Sequence, residues 1–325
     1  MTIGMTYDLR SDWLRLGYSE LETAEFDREE TVAAVESAIR AEGYATERVG
    51  NARALMTALA EGRRWDLVFN FCEGMYGLGR EALVPALLDA WRIPYTFSDP
   101  AVLAVSLHKG LTKRVVRDAG VPTPAFAMVE TAAEARSVSL HYPLFAKPVA
   151  EGTGKGITPL SRIENAQALE EVCASLLSQY RQPVLVEEYL PGREFTTAIT
   201  GTGSEALVVG TMEVILLSNA EAHAYTYNNK EYCDDRVRYE LVRGSEATAC
   251  AAIALAAWRA LGARDAGRID IRMDARGVPS FMEVNPLAGL HPQHSDLPII
   301  CTMAGVTFQE LIGRILRSAL KRSGL

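Results

Sequence analysis

Positive charge is the first thing this chain is short of. Its 33 lysines and arginines face 41 aspartates and glutamates, a net charge of −8. That balance argues against a general nucleic-acid binder, because phosphate-backbone affinity needs a basic face; a local basic pocket for a nucleotide stays compatible with it. Cysteine is sparse. The five present, Cys72, Cys173, Cys233, Cys250 and Cys301, form no CxxC pair and have no histidine at zinc-finger spacing, so small buried thiols in a reducing compartment are expected. No apolar run approaches the roughly 20 residues that a bilayer span needs. The longest, 249–258, is short and rich in alanine. The N-terminus has no basic stretch followed by an apolar one, so no signal peptide, no membrane partner and a cytoplasmic location are expected. Internal repeats, low-complexity segments, a Walker A loop, a dinucleotide fingerprint and a GxSxG nucleophile are all missing.

What is present is an ordinary globular composition, 48% hydrophobic and 23% charged over 325 residues, enough for two or three domains. Short apolar runs at 3–7, 44–49, 67–71 and 93–96 alternate with helical patterns. One of these is opened by Asp27 and Glu30 in capping-box spacing, and another covers 80–91. The βαβα order predicts an α/β (α+β) fold with an N-terminal parallel sheet. Further on, a helix is expected over 106–119, stopped by Gly120 and Pro122. Strands are expected at 126–130, 144–147, 157–160, 184–188, 194–200 and 206–213, with a helix capped by Thr131 and Glu134 and another over 164–180. Residues 219–243 read as a long loop. A helix over 247–261, strands at 268–274 and 280–285, and a helix capped by Thr307 and Glu310 complete the chain.

The segment GRIDIRM at 267–273, with FMEVN at 281–285, is the most informative. If Arg276 and Gly277 form a two-residue turn, Asp270 faces Glu283 and Arg268 faces Asn285. Strand alternation then puts these four on one face and Ile269, Ile271, Met282 and Val284 on the other. Two carboxylates and an amide oxygen suit Mg²⁺, a hard cation that fills its shell with phosphate oxygens. A hairpin with a polar solvent face is the plainer alternative. FAKPVAEGTGKG at 145–156 sets a lysine at a strand end before a run of backbone N–H groups, either a phosphate cradle or a surface hairpin. VLVEEYL at 184–190 ends an apolar strand in two acids, either a contact for adenine and ribose or a common strand end. His291 and His294 lie three apart, but Pro292 and Pro298 favour a loop over a zinc-binding helix.

These segments together resemble the D-alanine–D-alanine ligases and, more broadly, the ATP-grasp superfamily. The resemblance runs from about residue 94 onward through Lys109, TK at 112–113, AGVPTP at 119–124, KP at 147–148, EG at 151–152, 184–188, EFT at 194–196, GRID at 267–270 and EVN at 283–285. It implies three α/β domains, here 1–97, 98–183 and 184–325, with ATP between the second and third. It further implies that Lys109 and Lys147 bind the nucleotide and its phosphates, that Glu187, Glu188, Tyr189 and Leu190 form the adenine hinge, and that Glu194 contacts the ribose. Lys230 would close a mobile loop over the phosphates. Asp270, Glu283 and Asn285 would hold Mg²⁺, two ions being expected, and Arg268 would sit by the reacting carboxyl. Gly289, His294 and Ser295 match the segment that holds the second amino acid's carboxylate.

The implied reaction makes an acyl phosphate with the γ-phosphoryl group of ATP and then forms an amide, because a free carboxylate is a poor electrophile. Amino-acid or peptide substrates and a homodimer follow from the same resemblance. The family pattern is broken on the substrate side. Its glycine-rich N-terminal turn is missing, leaving Glu25 as the candidate for the first substrate's ammonium. Thr153 replaces a serine, and Glu231 stands where a tyrosine follows the loop lysine. Two other readings therefore stay open: a ligase of a specialised pathway with other amino acids, and an ATP-binding sensor without catalysis.

Overall fold

Three sheets organise the computed structural model, which describes residues 1–221, 226, 228–229 and 232–325. The first is parallel, with strands β1 (Thr2–Tyr7), β2 (Ala45–Gly50) and β3 (Leu67–Phe71) in the order β2-β1-β3. Every residue of β3 is buried, as a parallel strand covered on both faces requires. The expected strand at 93–96 is reduced to one bridge, between Val68 and Tyr95.

The second sheet contains β4 (Phe126–Val129), β5 (Leu144–Pro148), β6 (Arg162–Ile163) and β7 (Val184–Glu188), antiparallel in the order β4-β7-β5-β6. A division at residue 184 would therefore cut β7 from both of its partners, β4 and β5. Helix Ala166–Tyr180 covers this sheet. Asn165 caps it by accepting the Ala168 N–H at 3.0 Å, and Leu169, Cys173 and Leu176 meet Val129, Leu144, Ile163 and Val184 in a separate core.

The third sheet is antiparallel, β10-β9-β8-β11-β12. Its strands are β8 (Glu194–Thr200), β9 (Leu207–Leu216), β10 (Val237–Leu241), β11 (Ala266–Met273) and β12 (Pro279–Asn285). Trp258 of helix Ser245–Leu261 is fully buried against it. Gly267 is required there: a Cβ would fall 2.5 Å from the Asn285 carbonyl and 2.7 Å from the Trp258 ring. Helices Glu29–Ala41, Asp296–Met303 and Phe308–Ser323 share one core with β1, β3 and β9, so the first and third sheets are packed as one body. Buried Asp265, at φ +63°, reinforces that union. It accepts from the Phe97 N–H at 2.7 Å and the Ser318 hydroxyl at 2.7 Å, and pairs with Arg322 at 2.9 Å. No single helix among the described residues is long and apolar enough to cross a membrane.

Several local expectations give way to packing. The helix starting near Asp27 begins at Glu29 after Arg28, with no side-chain cap, because the Asp27 backbone is drawn into a bridge with Leu9. Residues 80–91 split into a 3₁₀ turn, Arg80–Ala82, and helix Leu83–Ala90. The helix expected over 106–119 is two, Pro100–Leu107 and Lys109–Asp118, broken at His108, whose ring nitrogen caps the second. Residues 157–160 make no strand and lead into the 3₁₀ turn Pro159–Ser161. Thr131 caps nothing; Glu134 instead accepts the Glu130 N–H before the turn Glu134–Ser137. Part of the loop expected over 219–243 is regular, carrying a helical turn at Cys233–Arg236 and β10. By contrast Thr307 caps Phe308–Ser323 as expected, accepting from the Glu310 N–H at 3.2 Å.

Candidate functional site

The hairpin β11–β12 sets the first side of the site. Arg268 pairs with Asn285 and Asp270 with Glu283, the register expected from the sequence, though it is reached by another route. The turn holds three residues, closed by the Asp274–Val278 hydrogen bonds, with Gly277 at φ +77°. A bulge between Asp270 and Ile271 makes up the shift by giving β12 one extra residue. Its consequence falls on Met282: Phe281 takes the core side with Ile269, Ile271 and Val284, and Met282 lines the cleft beside Glu283. The expected placement of Met282 on the core face is corrected accordingly.

Arg268 donates to both oxygens of Asp270, at 2.6 and 2.5 Å, and lies 3.5 Å from Asp296. Burial works against its charge, but Asp270 and Asp296 outweigh burial and raise its pKa. Thr196 on β8 donates to Asp270 at 3.0 Å, and the Asn285 amide approaches the other oxygen at 3.5 Å. The Lys109 ammonium lies 3.6 Å from Glu283 and donates to the Glu151 carbonyl at 2.6 Å. Among the described residues no group of three His, Cys, Asp or Glu is placed to hold a metal ion. Here the set is two carboxylates and an amide on one face of a cleft. All can offer oxygen, few enough to leave half of an octahedral shell to ligand oxygens, which fits Mg²⁺.

The opposite side comes from β5 and β7. Glu187, with no exposed surface, lies 2.8 Å from Lys113 and 3.0 Å from Lys147. Burial would raise this carboxyl, but the two lysines outweigh it and lower its pKa. Burial lowers the pKa of Lys113, whereas Glu187 more than offsets burial at Lys147 and raises it. The Glu187 carboxylate is thus internal and positions Lys147, which lines the cleft. Glu188 meets His141 at 2.8 Å. Tyr189 stacks on Phe145 with centroids 6.2 Å apart, under the guanidinium of Arg272 at 4.9 Å. Leu190, Ile157 and Met282 add apolar surface, and Glu194 lies 3.4 Å from Arg272.

A larger cavity of about 800 Å³ opens beyond Lys109, Arg268, Glu283 and Asn285, between the N-terminal segment, the glycine-rich loop and the β12 exit. Glu25, Thr153, Gly289, His294 and Ser295 all line it. Glu25 is fully engaged, by Arg80 at 2.7 Å, Lys155 at 2.6 Å and the Gly152 N–H at 3.1 Å. Burial opposes its charge, yet Arg80 and Lys155 hold it at about 2. Thr153 sits at φ +53° in the loop. A Cβ on Gly289 would come within 2.8 Å of the Ser295 hydroxyl, which accepts from the His291 N–H at 3.0 Å. The loop expected around Pro298 is helix Asp296–Met303, because proline is tolerated in a first turn whose N–H groups lack intrahelical partners. Lys230 and Glu231 lie outside the described residues.

Sequence reading gives Lys155 no role, matches Lys113 only as part of TK at 112–113, and leaves Arg80 in the segments 70–74 and 79–81, readable as helix entry or as a contact for the first substrate. Lys113 had a usable signal, since it falls on the buried side of Lys109–Asp118. Lys155 follows Glu151 at i+4 and pairs with it at 2.7 Å. Nothing local points Arg80 to Glu25, 55 residues away.

Comparison with known proteins agrees with this arrangement. A family model described as "D-ala D-ala ligase C-terminus" matches residues 115–317, more than half of the chain. A D-alanine–D-alanine ligase of Xylella fastidiosa is 33% identical over 291 residues, 87% of this chain and 90% of that protein. An uncharacterised protein, y4sG, of Sinorhizobium fredii is 32% identical over 264 residues, 79% of this chain and 75% of that one. The crystal structure of D-alanine–D-alanine ligase from Bacillus anthracis complexed with ATP superposes with a TM-score of 0.73 at 18% identity, covering 100% of this chain and 99% of that one.

Proposed function

Because the chain belongs to the D-alanine–D-alanine ligase family, we propose that it is an ATP-dependent, ADP-forming ligase joining the carboxyl of one amino acid to the amine of another. The observation that carries this reading is the convergence of Asp270, Glu283, Asn285 and Arg268 on one face of a cleft whose other side presents Lys147, with Lys109 between them. A sensor that only binds ATP has no need of all six.

The apolar surface of Phe145, Ile157, Leu190 and Met282 and the Tyr189 ring suit an adenine base, with Glu194 placed for a ribose hydroxyl. Lys109 and Lys147 suit the phosphates. Glu187 keeps Lys147 charged and aimed, and the Glu188 backbone belongs to the hinge. Asp270, Glu283 and Asn285 would hold Mg²⁺, two ions in the family pattern; when bound, Mg²⁺ neutralises and orients the transferring phosphoryl group. The substrate carboxylate takes the γ-phosphoryl group, releasing ADP, and the second amino acid's amine displaces phosphate, losing a proton as the amide forms. Arg268, anchored by Asp270, is placed to stabilise the oxyanion of the tetrahedral intermediate, an effect commonly worth about 3–4 kcal/mol. Thr153 lies on the glycine-rich loop beside the first substrate. Gly289, His294 and Ser295 take the second carboxylate at the N-terminus of Asp296–Met303. In the family pattern Lys230 and Glu231 would fall on a loop whose closure excludes water that would hydrolyse an acyl phosphate.

The domain division follows the sheets: an N-terminal domain to about residue 97, a central one that includes β7, and a C-terminal one beginning after the 189–192 turn. A dipeptide for peptidoglycan in the cytoplasm is the family's product. The altered residues around Glu25 and Glu231 favour a second possibility, another amino-acid pair. Amino-acid-dependent ADP release, followed by product analysis over a panel of D- and L-amino acids, tests the reading. Intact ATP binding without ADP release for any pair would replace the ligase by a sensor.

A further inference from the structure

One wall of the large cavity is left over by the ligase chemistry. Glu81 is 8% exposed, lines the cavity, and makes no side-chain hydrogen bond or ion pair among the described residues. Glu73 and Asp27 line the same wall and are likewise without a side-chain partner there. Burial pushes Glu81 up to about 7 against the pull of Arg80 and Lys109; burial, then Glu81 and Glu25, push Glu73 well above the usual carboxylate range against Arg80; burial and Asp8 push Asp27 up to about 8.

Three nearby cations are engaged elsewhere. Arg80 donates to Glu25 and to the Ala150 carbonyl, Lys155 bridges Glu25 and Glu151, and Lys109 serves Glu151 and Glu283. Buried carboxyls are seldom left without a counter-charge, because removing the ionised form from water is costly. Among the described residues no cation lies within ion-pair distance of these three, and all three line open space. One α-ammonium would bring a single positive charge against three carboxyls. Arg268 and Lys109 line the same cavity and can receive the carboxyl end of the same molecule.

We infer that Asp27, Glu73 and Glu81 form a subsite for a substrate with two cationic nitrogens, an amino acid whose side chain ends in an amine or a guanidine. The inference rests on the ligase reading of this cavity and narrows its substrate class. The 800 Å³ volume accommodates a long side chain beside a second amino acid.

The test reads binding without turnover. The full chain, with Mg²⁺ and a non-hydrolysable ATP analogue, is titrated calorimetrically with both enantiomers of ornithine, lysine, arginine and alanine. At least one basic amino acid is expected to bind tenfold or more tightly than either alanine. Glu81→Gln and Glu73→Gln should each weaken that binding tenfold or more and leave alanine unchanged, with thermal midpoints no lower than that of the parent. Alanine binding as tightly as every basic amino acid, binding of none of them, or a preference that survives both substitutions would overturn the inference. ADP release is assayed separately. Its absence beside a clear basic preference would defeat the ligase reading and leave the subsite standing.

Discussion

On the nucleotide side of the cleft, Glu187 is held between Lys113 and Lys147, and Asp270 against Arg268. On the N-terminal wall, Asp27, Glu73 and Glu81 face the cavity with no cation within ion-pair distance among the described residues. The two groups of carboxyls are similarly enclosed, yet only the first has its counter-charge folded in. A compensated carboxylate belongs to the framework, and its loss is felt in stability as well as in binding. An uncompensated one stays conditional on what enters the site, and its removal relieves the fold.

This contrast can be broken most forcefully at Glu187. Glu187→Gln strands two buried lysines and should cost about 3–5 kcal/mol of stability, read by urea denaturation; a loss under about 1 kcal/mol would place Glu187 with the dispensable surface pairs. Asp270→Asn comes next. Loss of one proposed metal ligand should reduce ADP release by about 10²–10³-fold, roughly 2.7–4 kcal/mol in the barrier, with a smaller loss of stability than at Glu187 because Asp296 still faces Arg268, and normal turnover would remove the metal assignment. Lys147→Ala should weaken ATP binding about tenfold, or 1.4 kcal/mol. Unchanged calorimetric affinity would separate Lys147 from the nucleotide.

The smallest effect sharpens the other side. Asp27 has its folded-state pKa raised from 3.8 to about 8. Between those pH values the folded chain keeps a proton that the unfolded chain releases, so stability falls as pH rises through that window. Asp27→Asn should therefore raise the thermal midpoint at pH 8 by about 2–4 °C and leave it nearly unchanged at pH 4. An equal change at both pH values would trace the effect to shape rather than charge.

How much of this could be read from the chain depends on the range of the cause. The pairing of Asp270 with Glu283 follows from alternation and a nearby turn, both local, and it was legible. The bulge that turns Met282 into the cleft was not, because it answers to the burial of Phe281 against a helix far along the sequence. Thr307 caps its helix as its spacing with Glu310 predicts, yet Asp27 in similar spacing does not, since Leu9 claims its backbone first. Glu25 shows the limit for the site. Its position suggested a receptor for an ammonium, but Arg80 and Lys155, brought close only by the fold, already occupy both oxygens.

Asp265 ties the chain leaving the first sheet, at Phe97, to Ser318 and Arg322 of the C-terminal helix, and helix Glu29–Ala41 shares that helix's core. Parting those two bodies would strip a continuous apolar interface and strand a charge that water cannot reach. The four-stranded sheet has an apolar interior of its own and is held to the rest chiefly by ion pairs, Glu187–Lys113 and Glu25–Lys155, which an incoming ligand or water can replace. Any jaw-like movement that admits or releases a nucleotide is therefore cheapest when that sheet swings while the rest of the molecule serves as a fixed anvil.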